Sequence, residues 1–225
     1  MKHLLRSTAL LGFREVSNHA GFNADQIADK FNLNLDLAER DNQFVLMEDF
    51  VKMLEYAARL KNIPDLGLQM SPYHDLSILG PLSLVISNLP TVGQAVVYAA
   101  EHIDVMSPTI LIETYPDKTE NTVSKSHTWI SISIDLDKPA PHTQALDVCL
   151  GNLHRFLKIL AGNHYQLAKV MVKGRRAHLH ARSQLIHTQR HVVIELEPID
   201  CPRNPITLPI HGTDLAQSAG LVALQ

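Results

Sequence analysis

The sequence predicts an α+β protein, a small and mainly antiparallel sheet covered by amphipathic helices, with a helical N-terminal region. Three observations carry this. Long segments place apolar residues at three- and four-residue spacing, as one face of a helix requires. Other segments are β-rich, and one alternates apolar and polar residues. No strand–helix alternation with glycine-rich turns occurs, which argues against a doubly wound nucleotide fold. With 225 residues, 45% of them hydrophobic and 19% charged, the chain can bury roughly 70% of its unfolded surface without disulfides or a structural metal.

The elements follow in order. The opening MKHLLRSTALLGF starts like a secretory leader, but Arg6, Ser7 and Thr8 interrupt its apolar run and no small-residue cleavage site follows. Asp25 to Phe31 can close a short helix, and Leu33 to Asn42 reads as a polar connection. From Phe44 to Leu60, a stripe of Met47, Phe50, Val51, Leu54, Ala57 and Ala58 opposes Glu48, Lys52, Glu55 and Arg59; this predicts a helix, ended before Pro64. Leu66 to Ser87 is broken by Gly67, Pro72, Gly80 and Pro81, so short helical turns and extended pieces are expected.

Thr91 is a good N-cap, with Gln94 placed three residues on to bond back to it. Behind it Val92, Ala95, Val96, Ala99 and Ile103 form the apolar face of a helix reaching about Val105. Thr109–Thr114 and Thr128–Asp135 read as strands of a meander joined by a turn at Pro116–Asn121. In the second, Trp129, Ser131 and Ser133 alternate with Ile130, Ile132 and Ile134. A long helix from about His142 to Leu160 carries a stripe of Leu146, Cys149, Leu153, Phe156, Leu157 and Leu160, and Gly162 can stop it. Strands at Gln166–Val172 and His191–Leu196 flank a helix at Ala177–His187. An edge piece at Ile206–Pro209 and a last helix capped by Thr213 or Asp214 complete the pattern.

Charge and composition narrow the function. With 20 Lys+Arg against 23 Asp+Glu and a net charge of −3, the chain has no positive excess to neutralise phosphates, so these residues are not a DNA-binding body. Cys149 and Cys201 stand far apart, which suits a reducing compartment. No stretch reaches the roughly 18 apolar residues of a membrane span, and a cytoplasmic protein is expected. Phosphate loops, nucleophile elbows, zinc helices and paired CxxC motifs are all missing, so the reading is not an enzyme and names no catalytic residue and no cofactor.

Thirteen histidines are the compositional anomaly. His178, His180, His187 and His191 cluster, but Arg175, Arg176, Arg182 and Arg190 crowd them and would repel a cation. A solvated basic edge or contact surface is the better reading. His102, at the end of the capped helix, and His154, beside the long helix's apolar stripe, leave open an alternative: a stand-alone sensor binding haem or a metal. For an organic ligand the candidate pocket residues are Tyr98, His102, Trp129, His154 and Arg155, the polar or aromatic groups bordering apolar stripes expected to face one another.

Several motifs together point to a family. Glu55 to Leu68, EYAARLKNIPDLGL, resembles a segment in which a helix ends and P-D/N-L-G-L follows. Leu79-Gly-Pro-Leu-Ser-Leu84 and Leu89-Pro-Thr-Val-Gly-Gln-Ala95 match that family's next signature, and Cys149 to Gly162 is similar to its long glycine-ended helix. In order and spacing, over about residues 5–210, the chain resembles the arabinose-binding-type N-terminal domain of AraC-type bacterial transcription regulators. The resemblance implies an effector-binding and dimerisation domain over residues 1–210, with 211–225 starting a linker. Its expected partners are a small-molecule effector and a second copy, with promoter DNA reached only through helix-turn-helix units absent from this chain. Chemically varied effectors are expected of the family, so "arabinose" is a label only.

Overall fold

The structure, a computed structural model, describes residues 3–39, 43–116, 128–138, 140–162, 167–174 and 190–196. The loop expected after Pro116, the helix at Ala177–His187, the edge piece at Ile206–Pro209, the last helix and the linker 211–225 lie outside these residues. So do His178, His180, His187 and Cys201.

The chain opens with β1 (Leu4–Arg6) and a 3-10 turn at Ser7–Leu10, then α1 (Phe13–His19) and α2 (Ala24–Asp29). A 3-10 turn at Leu35–Glu39 leads to β2 (Phe44–Leu46), α3 (Met47–Lys61) and α4 (Leu66–Met70). Two further 3-10 turns, Ser71–Tyr73 and Leu76–Leu79, precede α5 (Pro81–Ile86) and α6 (Val92–His102), which tightens into a 3-10 turn at Ile103–Val105. Then come β3 (Ile110–Pro116), β4 (Thr128–Ile134), α7 (Thr143–Ala161), β5 (Leu167–Gly174) and β6 (Arg190–Leu196). β1 and β2 form a two-stranded sheet, and the other four strands form a sheet of order β3-β4-β6-β5. Every pairing is antiparallel. The architecture is α+β, as the periodicities predict.

Most elements stand where their residues put them. The α3 stripe is buried throughout, joined by Met53. Thr91 caps α6, its hydroxyl accepting the Gln94 backbone N–H at 3.2 Å. On β4, Ile130, Ile132 and Ile134 are fully buried. Ser131 and Ser133 are buried as well, because β4 is an interior strand between β3 and β6. Gly162 ends α7 at φ +56°, a left-handed conformation that a side chain would oppose.

Two expectations need correction. Phe44 to Leu60 is not one helix: Phe44–Leu46 pair with Leu4–Arg6, and a three-residue strand is too short to show a period. Leu66 to Ser87 is broken as its prolines and glycines predict: its regular pieces are short helical turns, joined by extended backbone at His74 and Asp75. The polar connection at Leu33–Asn42 contains a 3-10 turn that buries Leu35 and Ala38.

α7 is the organising helix and packs against α3, α4, α6 and β4. Its first turn is fixed by Gln144, which is 5% exposed. The Gln144 backbone N–H donates to Glu55 Oε1 at 2.8 Å, giving the helix start a carboxylate partner from α3. The Gln144 side chain donates to the Pro64 carbonyl at 2.8 Å and accepts the Gly67 N–H at 2.9 Å. α4 can come this close only because residue 67 lacks a side chain: a Cβ there would overlap the Gln144 carbonyl. Two turns along α7, a Cβ on Gly151 would lie 2.6 Å from the Ser71 hydroxyl.

Gly67→Ala should therefore force α4 away from α7 and cost about 1–3 kcal/mol of stability or more. Urea unfolding followed by circular dichroism reads this directly, and an unchanged midpoint would mean that the two helices are not in contact as described.

Candidate functional site

The faces of α6, α7 and the β3–β4 hairpin meet around an apolar cavity of about 110 Å³. α7 supplies Cys149, Leu153, Phe156, Leu157 and Leu160, while α6 supplies Ala95, Val96 and Ala99. Ile110, Ile112, Ile132 and Ile134 form the sheet wall, and Leu5, Met47, Phe50 and Ile86 close the rest. Small alanines stand where two helix faces approach, and large aliphatic residues stand opposite, so the packing of the described residues leaves a space between them. In volume the space is comparable to apolar cavities of about 150 Å³ that stay dry and accept benzene.

Among the described residues no charged side chain lines it, and apart from the methionine thioethers only Asn152 and Cys149 bring a side-chain heteroatom to the wall. Cys149 keeps some accessible surface because it faces the cavity, while protein surrounds it otherwise. Burial pushes its thiol up to about 12, with Asp147 adding to the rise, so it stays protonated and acts as a small apolar group. A polyhydroxylated ligand would bury hydroxyls without partners at about 1–3 kcal/mol each. A carboxylate would find no cation among the described lining residues.

Asn152 connects the cavity to a buried polar pair. His74 is fully buried, its Nε2 2.9 Å from the Leu11 carbonyl and its Nδ1 3.0 Å from Asn152 Oδ1. A carbonyl only accepts, so Nε2 carries the hydrogen. Burial, and secondarily the positive charge of Arg155, lowers the His74 pKa against the opposing pull of its hydrogen bonds. The neutral ring then offers Nδ1 as an acceptor, which Asn152 serves once its amide ends are exchanged.

The sequence-predicted residues are placed as follows. Tyr98 and His102 come together on α6, their rings stacked with centroids 4.1 Å apart and 16° between planes. His102 Nδ1 donates to the Tyr98 carbonyl at 2.9 Å. Neither side chain is in the cavity lining, although their neighbours Ala99 and Ile103 are. Trp129 lies in β4, in register with Tyr115 of β3 and Glu195 of β6. His154 is exposed on α7, its pKa lowered by partial burial and then by Lys158. Arg155 is half-buried, and its Nε–H has no hydrogen-bond partner among the described residues. His154 and Arg155 are not in the lining, whereas Leu153 and Phe156 on either side of them are. Among the described residues, no group of three or more His, Cys, Asp or Glu side chains could hold a metal ion. None of the described helices is long and apolar enough to cross a membrane.

Sequence reasoning missed Asn152 and His74, and it did not foresee that the lining is aliphatic. Only the small residues Ala95 and Ala99 on the apolar face of the capped helix signalled space between the helices.

His74 gives the site a pH signature. Its folded pKa lies below the ordinary 6.5, so in the window between the two the unfolded chain binds a proton that the folded chain does not. Its contribution to stability is complete above about pH 6.5 and declines as pH falls below it. His74→Gln keeps a donor for the Leu11 carbonyl but cannot titrate. Urea midpoints from pH 8 to 5 should fall less steeply in this variant, with a remainder of the same sign from His154; identical slopes would mean that His74 is not held neutral.

Comparison with known proteins places this architecture. Residues 21–186 match the family described as the arabinose-binding domain of AraC transcription regulator, N-term. That span takes in α2 to α7 and the cavity's helical and sheet walls. The chain is also similar to the HTH-type transcriptional regulator VirS of Mycobacterium tuberculosis, from strain CDC 1551 / Oshkosh and from strain ATCC 25618 / H37Rv. Each is 23% identical over 161 residues, covering 71% of this chain and 45% of the relative. The chain thus spans a little under half the length of the curated relatives it matches. From its motifs, their order and the extent of this match, the chain belongs to the family of arabinose-binding N-terminal domains of AraC transcription regulators.

Proposed function

We propose that this chain is the effector-sensing and dimerising part of a cytoplasmic transcription regulator, with residues 1–210 as the sensor and 211–225 opening a linker to a helix-turn-helix unit. The observation that carries the reading is an apolar cavity whose helical and sheet walls lie in the segment that matches a regulator's N-terminal domain. The relatives' description as HTH-type regulators, together with the share of their length that lies outside the match, supports a separate DNA-binding part. The net charge of −3 supports it too, since these residues offer no excess positive charge to phosphates.

The cavity suggests how sensing works. Its walls belong to α6, α7 and the sheet, so an occupant touches all three and favours the arrangement in which they close around it. A ligand that binds one arrangement more tightly shifts the population toward it. In this reading Tyr98, His102, Trp129, His154 and Arg155 tune the response from beside the lining segments. Replacing all five by alanine with no change in effector response would remove them from the site.

The 225-residue chain should sediment as a dimer and give no sequence-specific mobility shift on the promoter its regulator controls. A specific shift by this chain alone would overturn the separation of sensing from DNA binding, and a monomer at micromolar concentration would overturn the dimer.

A further inference from the structure

We propose that the cavity takes an uncharged, predominantly hydrocarbon molecule of about the size of benzene or toluene, and that it rejects sugars and carboxylates. This deepens the sensor reading and rests on it for the ligand's meaning, while the chemistry of the cavity is argued independently.

Selectivity follows from what the wall lacks. Among the described residues it has no cation to balance an anion and no anion to balance an amine. The Asn152 amide already spends one end on buried His74, and the Cys149 thiol is too weak a donor or acceptor to serve a hydroxyl. A sugar brings several hydroxyls on every face, and one amide end cannot meet them. A hydrocarbon needs no partner and regains dispersion contacts with aliphatic atoms that now face empty space. A volume of about 110 Å³ sets the size class, since cavities of about 150 Å³ accept benzene. Cys149 lies in the same wall and is held as a buried thiol there, so N-ethylmaleimide reaches it only when the wall opens to solvent, and a ligand that fills the space slows that opening.

The test uses the 225-residue chain carrying Cys201→Ser, with toluene, cyclohexane, L-arabinose and benzoate as probes. Toluene and cyclohexane should each raise the unfolding midpoint by about 3 °C at ligand well above Kd. They should also slow N-ethylmaleimide modification of Cys149 about tenfold at ten times Kd. Arabinose and benzoate should change neither reading. Ala99→Phe, which fills the space from α6, should abolish the toluene effects, and if that variant does not fold, protection of Cys149 in the unfilled cavity decides alone. A larger effect from arabinose or benzoate, or none from either hydrocarbon, overturns the proposal. Failure of the sensor reading looks different: toluene protects Cys149, yet the promoter output of a regulator carrying this domain stays unchanged.

Discussion

The start of α7 is the constraint on which the remaining structure depends. In a single residue, Gln144, the backbone N–H takes a carboxylate from α3, and the side chain holds the α3–α4 connection through the Pro64 carbonyl and the Gly67 N–H. These are buried groups, and removing the Gln144 side chain would leave a donor and an acceptor without partners, at about 1–3 kcal/mol each. Gly67 and Gly151 supply the other half of the constraint, because both let backbone approach where a methyl group could not fit. With position and rotation set at this end, the stripe from Cys149 to Leu160 is aimed at α6 and the hairpin.

The cavity is a consequence of that aim. α7 is held against α3 and α4 by close contacts, so it cannot slide toward the sheet to close the gap between its stripe and Ile132 and Ile134. An empty apolar space of about 110 Å³ withholds on the order of 2–3 kcal/mol, at about 24 cal/mol per Å³. A domain that only needed to be stable would gain by filling it, and larger side chains at Ala95, Ala99 or Ala145 would be a short route. The gap is thus a feature of the packing that stability alone does not favour.

How much of this was legible in the sequence depended on the range of each interaction. Thr91 with its helix, the α3 stripe, the β4 alternation and the glycine stop of α7 are local, and their residues announced them. β1 and β2 were not legible, because three-residue strands carry no period and their partners lie about forty positions apart in the chain. The segment Leu66–Ser87 was legible as broken pieces, because proline and glycine mark the breaks, although they do not set the bounds of each turn. At the site the obstacle was chemical: an aliphatic cavity wall has the same composition as a packed core. Reasoning from polar side chains led to Tyr98, His102, His154 and Arg155, whereas the lining runs through Ala99, Ile103, Leu153 and Phe156 beside them.

That one-residue offset matters for what family membership can say. A helix face turns by about 100° per residue, so relatives sharing this fold can exchange which neighbour faces the cavity through small changes of sequence. They can change ligand chemistry while the α4–α7 junction, the capped α6 and the sheet order stay as they are. Fold and cavity chemistry are thus set by different residues: the first by Gln144, Gly67, Gly151 and Thr91, the second by the side chains that line the space. A family description carried by the first set fixes the architecture, and the effector has to be argued from the second.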